Sequence, residues 1–261
     1  MRQHLHIFLA LVTALTSLPA PSAAQRTVAP PRGFVGGELL LATPVGEFAE
    51  NVGTGFGIGG FGRYALGPEG LVSLRADLAF MNYGSETIRI CVTMPCRVTG
   101  DLTTSNNIVF GGIGPELGVG GGGPLRAYVN GSIGFAYFGT TSSVEGANND
   151  GDPFASDTNY EDVTFAWMTG GGLQLRVSSG RHPVSIDFGA RYHGNGEAEY
   201  LRKGDIEDLP DGSVVINPQR SETNLWTLRI GVSVGIPSGE DGSAGRGSRG
   251  SGPTRLWPTP P

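Results

Sequence analysis

Lysine is all but missing from this chain of 261 residues: Lys203 is the single lysine among 18 basic residues, so nearly every positive charge is an arginine. A net charge of -6 leaves no basic face for a nucleic acid and removes that class of partner. Cysteine is limited to Cys91 and Cys96, and histidine to four positions, two of them within the first six residues. After residue 24 no apolar run approaches the ~20 residues a transmembrane helix requires. Helical patterning is scarce, whereas 44 glycines and 18 prolines recur without a collagen-like period, a composition of many strands joined by turns.

What is present begins with "MRQHLHIFLALVTALTSLPAPSAA", residues 1–24. Arg2, an apolar run from Ile7 to Leu18, the helix-breaking Pro19 and small residues up to Ala24 form the three-part layout of a secretory signal peptide, with cleavage expected before Gln25. Residues 25–32 then form a linker, and the exported remainder is of a length common for one all-β domain.

The stretch "LWTLRIGVSVGI", Leu225 to Ile236, places a bulky apolar residue on every second position, with Thr227, Arg229, Gly231, Ser233 and Gly235 between them. Period two argues for a strand with one apolar and one polar face. The same pattern recurs near 34–43, 53–66, 71–83, 106–118, 124–138, 162–177 and 183–195, giving eight strands. Most match the ~9 to 11 residues that cross a bilayer at a tilt. Tight turns ("GPEG", "GGGGP", "SSGRHP") alternate with longer polar links near 44–52, 84–105, 139–161 and 196–222. Short turns at one rim and long loops at the other are the layout of an outer-membrane barrel.

Parity places every strand charge on the face opposite the apolar series: Glu38, Arg63, Arg75, Asp77, Glu116, Arg126, Arg176, Asp187, Arg191 and Arg229. A charge turned toward lipid at mid-bilayer costs roughly 2 to 4 kcal/mol, whereas one turned inward can pair. Arginine suits that pairing, because its planar fork meets a carboxylate through two hydrogen bonds and keeps its proton. These residues are expected to form a salt-bridge lattice in the periplasmic half of the lumen. An eight-stranded barrel is just wide enough for its own side chains, so the lattice should plug it. Trp167, Tyr64, Tyr83, Tyr137, Tyr192 and Trp226 fall near strand ends, where interfacial aromatic girdles lie.

Cys91 and Cys96 are spaced to clip a loop as a structural disulfide in an oxidising compartment. The loop holding Asp150, Asp152 and Asp157 offers hard oxygen ligands for a cation, although acidic loops ordinarily just keep a tip solvated. Pro210-Asp211-Gly212 lies between two β-prone pieces and reads as a hairpin. His193 stands near the outer end of its strand with Asn195, not a serine, two positions on, so no nucleophile accompanies it. No cofactor, metal centre or catalytic constellation is expected.

The glycine-rich opening "GFVGGELLLATPVGEF", the inward Glu/Arg set and the alternating last strand resemble the small outer-membrane β-barrel family that includes OmpA-like and opacity-like barrels of the porin superfamily. The resemblance spans roughly residues 33–236 and implies an eight-stranded antiparallel up-and-down barrel in a Gram-negative-type outer membrane. It further implies lipid and lipopolysaccharide as neighbours, and the barrel-assembly machinery as a partner during biogenesis. Residues 237–261, rich in Gly, Ser and Pro, depart from the family's terminal aromatic strand and are expected to be a disordered tail. The expected role is non-enzymatic, structural or surface-interacting, through the outer loops. A narrow diffusion channel is the first alternative, and an exported soluble barrel of lipocalin type the second.

Overall fold

The computed structural model describes residues 31–237, apart from the short stretches 68–69, 92–94, 98, 121–122, 147–154 and 210–212. The signal peptide, most of the 25–32 linker, nearly all of the C-terminal tail, and Asp150 and Asp152 lie outside the described residues.

The barrel strands are β1 (Gly33–Pro44), β2 (Gly55–Ala65), β3 (Val72–Cys91), β4 (Thr99–Val119), β5 (Leu125–Gly146), β6 (Ala155–Ser178), β7 (Val184–Asn195) and β12 (Leu225–Ile236). A short helix, α1 (Glu47–Asn51), joins β1 to β2. Four small strands stand between β7 and β12: β8 (Glu197–Tyr200), β9 (Ile206–Asp208), β10 (Val214–Ile216) and β11 (Gln219–Glu222). Each long strand pairs antiparallel with its neighbours in sequence, and β1 closes the ring on β12, Gly33 opposite Ile236 and Pro44 opposite Leu225. The result is an up-and-down barrel of eight strands.

The alternation of the last strand now has its cause. Trp226, Leu228, Ile230 and Val232 point outward and are about half exposed, whereas Thr227, Arg229, Gly231 and Ser233 are buried in the lumen. Leu39, Ile58, Leu78, Ile133 and Phe165 continue the outward belt around the wall. A belt of this kind exposes far more contiguous apolar surface than a water-soluble monomer tolerates, and lipid is what covers it. Trp167, Tyr192 and Trp226 pack against one another near its outer edge, tilted and edge-on, with ring centroids 5.5 and 5.4 Å apart. Tyr83 differs from the girdle expectation: its ring turns into the lumen, and its hydroxyl donates to the carbonyl of Leu201.

Two of the four expected long loops are instead strand. β3 to β6 run 20 to 24 residues each, about twice the length of the other four barrel strands, and stay paired well past the apolar belt. The belt ends on one register row, Phe80–Val109–Tyr137–Val163; the next outward row is Asn82–Asn107–Gly139–Glu161. Above that boundary lie two rows made wholly of hydroxyl residues, Ser85–Ser105–Thr141–Thr158 and Thr87–Thr103–Ser143–Ser156. A four-stranded wall therefore rises on one side, while β1, β2, β7 and β12 stop at the rim.

Bulges at the base of the wall explain why simple alternation fails there. On β3 the register shifts between Asn82 and Gly84, and between β5 and β6 it shifts beside Asn159. One extra residue moves every later side chain to the opposite face. β9 and β10 form the hairpin expected around residues 210–212, and β8 pairs with β11.

Candidate functional site

Lumen-facing side chains divide at His193. Below it lies an ion lattice centred on Arg75, which is 1% exposed. Arg75 Nε donates to Asp77 Oδ1 at 2.9 Å and Nη1 to Glu116 Oε2 at 3.2 Å, while Nη2 is 3.7 Å from Glu38 Oε2. Each of these carboxylates also meets another arginine. Asp77 has Arg191 at 3.0 Å, Glu116 has Arg126 at 2.8 Å and Arg63 at 3.7 Å, and Glu38 has Arg229 at 3.0 Å. Asp187 joins through Tyr128, whose hydroxyl donates to Asp187 Oδ1 at 2.7 Å and accepts from Arg229 Nη2 at 3.1 Å. β6 contributes Gln174, which accepts from Arg126 Nη1 at 3.0 Å, so all eight barrel strands are tied in.

Arg176 is the exception among the residues assigned to this lattice by parity. It is exposed at the periplasmic end of β6, where the pairing with β7 is irregular between Arg176 and Ser178. Arg176 keeps the inward register, opposite Ser185, and its exposure follows from its place at the open end of the barrel.

Sequence reasoning missed the aromatic partners of the lattice. The Arg75 guanidinium lies 3.8 Å from the Phe61 ring centroid, and Arg63 lies 4.0 Å from that of Phe34. Cation–π contact is favourable in such desolvated surroundings. Phe61 and Tyr128 share the parity of the charged residues, which was the available signal. Space for these bulky groups comes from glycine: a Cβ on Gly118 would overlap the Arg126 guanidinium.

Above His193 the same inward parity becomes mainly apolar, apart from the buried pair in which Thr140 Oγ1 donates to Asn106 Oδ1 at 2.7 Å. Leu40, Met81, Ile108, Phe110 and Phe138 are buried there, and Phe48 of α1 drops into the mouth, fully buried. Its ring meets Tyr200 edge-on at 5.1 Å, with Tyr83 and Phe138 at 6.0 and 6.1 Å. α1 and the segment after β7 hold one another across the mouth. Asn51 Nδ2 donates to the Tyr200 hydroxyl at 3.2 Å, and Arg202 Nη1 donates to Asn51 Oδ1 at 2.9 Å. Gly46 supports the sharp entry into α1 with φ of 62°, a conformation that glycine adopts without strain.

His193 sits at the junction, 3% exposed, its ring against Phe110 at 4.5 Å and Nε2 sharing a hydrogen bond with Thr227 Oγ1 at 3.1 Å. Lattice and plug enclose it from both sides.

Outside the barrel, a cleft of about 400 Å³ opens between β6 and β8, lined by Tyr160, Glu161, Asp162, Glu197, Glu199 and Arg220. Asp162 Oδ2 accepts from the Glu199 amide at 2.7 Å, which docks β8 on β6. The Tyr160 phenol donates to the Glu199 carboxylate. Arg220 pairs with Glu197 at 3.0 Å in full view of solvent. Asp157 is exposed, and the described residues contain no group of His, Cys, Asp and Glu arranged to hold a metal ion. Cys91 and Cys96 are bonded to each other at the tip of the β3–β4 hairpin.

No family model matches the chain, and no curated protein matches it. Among solved structures it is similar to Neisserial surface protein A, at 12% identity over 78% of this chain and 97% of that one, with a TM-score of 0.42. It is also similar to Ail, the attachment invasion locus protein of Yersinia pestis, at 12% identity over 78% and 98%, TM-score 0.41. A third is the N-terminal β-barrel domain of Pseudomonas aeruginosa OprF, at 18% identity over 77% and 96%, TM-score 0.30. By its own geometry, a closed ring of eight strands with an apolar belt outside and paired charges inside, the chain has the fold of an outer-membrane β-barrel.

Proposed function

We propose that the protein is a non-enzymatic surface protein of a Gram-negative-type outer membrane, acting through the wall and loops that stand above the bilayer rather than through its lumen. The double closure of the lumen carries this reading. Ions meet a lattice in which every carboxylate is engaged, and apolar solutes meet a filled aromatic plug. Its partners on this reading are outer-leaflet lipid and lipopolysaccharide, the assembly machinery during biogenesis, and an extracellular ligand that engages the outer loops. His193, the one histidine a lumenal chemistry would draw on, is sealed between lattice and plug. A soluble barrel of lipocalin type would need a charged exterior, and the apolar belt weighs against it.

Planar-bilayer recording of the refolded mature protein tests the proposal, with heat-dependent gel mobility confirming a folded barrel. The expected result is silence from folded protein. Reproducible unitary steps would overturn it in favour of a narrow diffusion channel.

A further inference from the structure

The outward face of the wall carries an array that lumen closure leaves unexplained. Its two hydroxyl rows cross all four strands without one charged residue. Across the β3–β4 pair the hydroxyls bond one another, Thr87 to Thr103 at 2.9 Å and Ser85 to Ser105 at 3.4 Å. Each hydroxyl has one donor and two acceptor sites, so such a bond leaves capacity for an outside partner. Strand spacing and pleat set the grid at ~4.8 Å by ~6.8 Å, the scale of a hexose ring. One row higher, charge returns with Arg89, Asp101 and Glu145, and Arg89 pairs with Asp101 at 3.3 Å.

Height identifies the occupant. The array lies on the lipid side of the wall, continuous with the apolar belt through the Asn82–Asn107 row, whose amides bond at 3.0 Å. Counting residues from the Val109–Tyr137 row and allowing for strand tilt, it stands ~10 to 15 Å above the belt. Whatever projects from the lipid headgroups at that level touches this face. An ordinary solvated surface carries charge at roughly a quarter to a third of its positions, and exposed sheet margins are normally guarded by lysine and other charges. This face has short hydroxyl groups instead, suited to hydrogen bonding with a neutral, hydroxylated surface.

We propose that the array is the docking face for the saccharide of the outer-leaflet glycolipid, which packs against the wall as a second shell above the acyl chains. The inference rests on the surface-protein reading and names the membrane component that the wall meets. It commits to sugar rather than to phosphate, because no basic residue lies in either row.

The test uses the mature full-length protein refolded into nanodiscs of two compositions. One holds a glycolipid with a complete core oligosaccharide, and the other holds the same lipid truncated to its acylated disaccharide. Hydrogen exchange is followed in segments 84–91 and 101–107. The expected result is about threefold or greater slowing with the complete glycolipid, with no change in the belt segments. In a variant combining Thr103→Val, Ser105→Ala, Thr141→Val and Ser143→Ala, confirmed as folded by heat-dependent mobility, the slowing should vanish. Equal exchange in both discs, or slowing that survives in the variant, would overturn the proposal. Equal slowing by free core oligosaccharide would also overturn it, assigning the face to soluble glycans. Failure of the surface-protein reading would register separately, as unitary conductance in a planar bilayer.

Discussion

The lower and upper halves of the lumen are built by the same eight strands on the same inward parity, yet they are filled by opposite chemistries. Below His193, Arg63, Arg75, Arg126, Arg191 and Arg229 face Glu38, Asp77, Glu116 and Asp187; above it, Met81, Ile108, Phe110 and Phe138 close around Phe48. The lattice is a set of mutual dependences, since a buried charge that loses its partner cannot return to water. Contacts in the plug are individually weak and collectively large, so each residue there contributes roughly in proportion to the surface it covers. The lower half locks the strands to one another, and the upper half seals the mouth.

Three substitutions break or sharpen that contrast. Arg75→Leu leaves Asp77 and Glu116 short of a partner in the middle of the network and should cost about 3 to 5 kcal/mol. The check is the midpoint of heat-dependent mobility in detergent; a midpoint unchanged from the parent would refute the lattice as a fastening. Phe48→Ala should cost about 3 kcal/mol of docking, but locally. Amide exchange in residues 47–52 should speed up while the global midpoint moves much less than for Arg75→Leu. Matching shifts in the two variants would show that plug and lattice unfold as one unit. Smallest is Arg220→Ala, which removes an exposed pair with Glu197 and should change stability by no more than about 1 kcal/mol.

The strands that cross lipid were legible because a bilayer enforces alternation without exception: each outward position from Leu228 to Val232 must be apolar, and each intervening one can be anything that fits inside. The lattice was legible for the same reason, since nine of its ten residues are buried where parity puts them and only Arg176, at the open rim, is exposed. Lipid no longer disciplines the sequence above the bilayer. Thr103 and Thr104, or Ser142 and Ser143, are alike in chemistry but face opposite ways, so the wall gives no periodic signal and reads as loop. The shifts beside Tyr83 and Asn159 then invert the parity that remains. Phe48 was beyond reach for another reason. Its burial depends on Tyr83, Phe138 and Tyr200, which are remote in sequence and meet only when the barrel is closed.

The one-sided wall also has a mechanical meaning. A sheet rising some 20 Å from a rim that is low on the opposite side is a cantilever, and a sideways pull at its tip concentrates bending at its base. At that level the segment after β7 acts as a brace. Lys203 reaches Glu86 at 3.3 Å, Tyr83 bonds the carbonyl of Leu201, and Glu199 holds Tyr160. Load applied to the wall is thereby shared with the strap across the mouth, and through Asn51 with the plug beneath it.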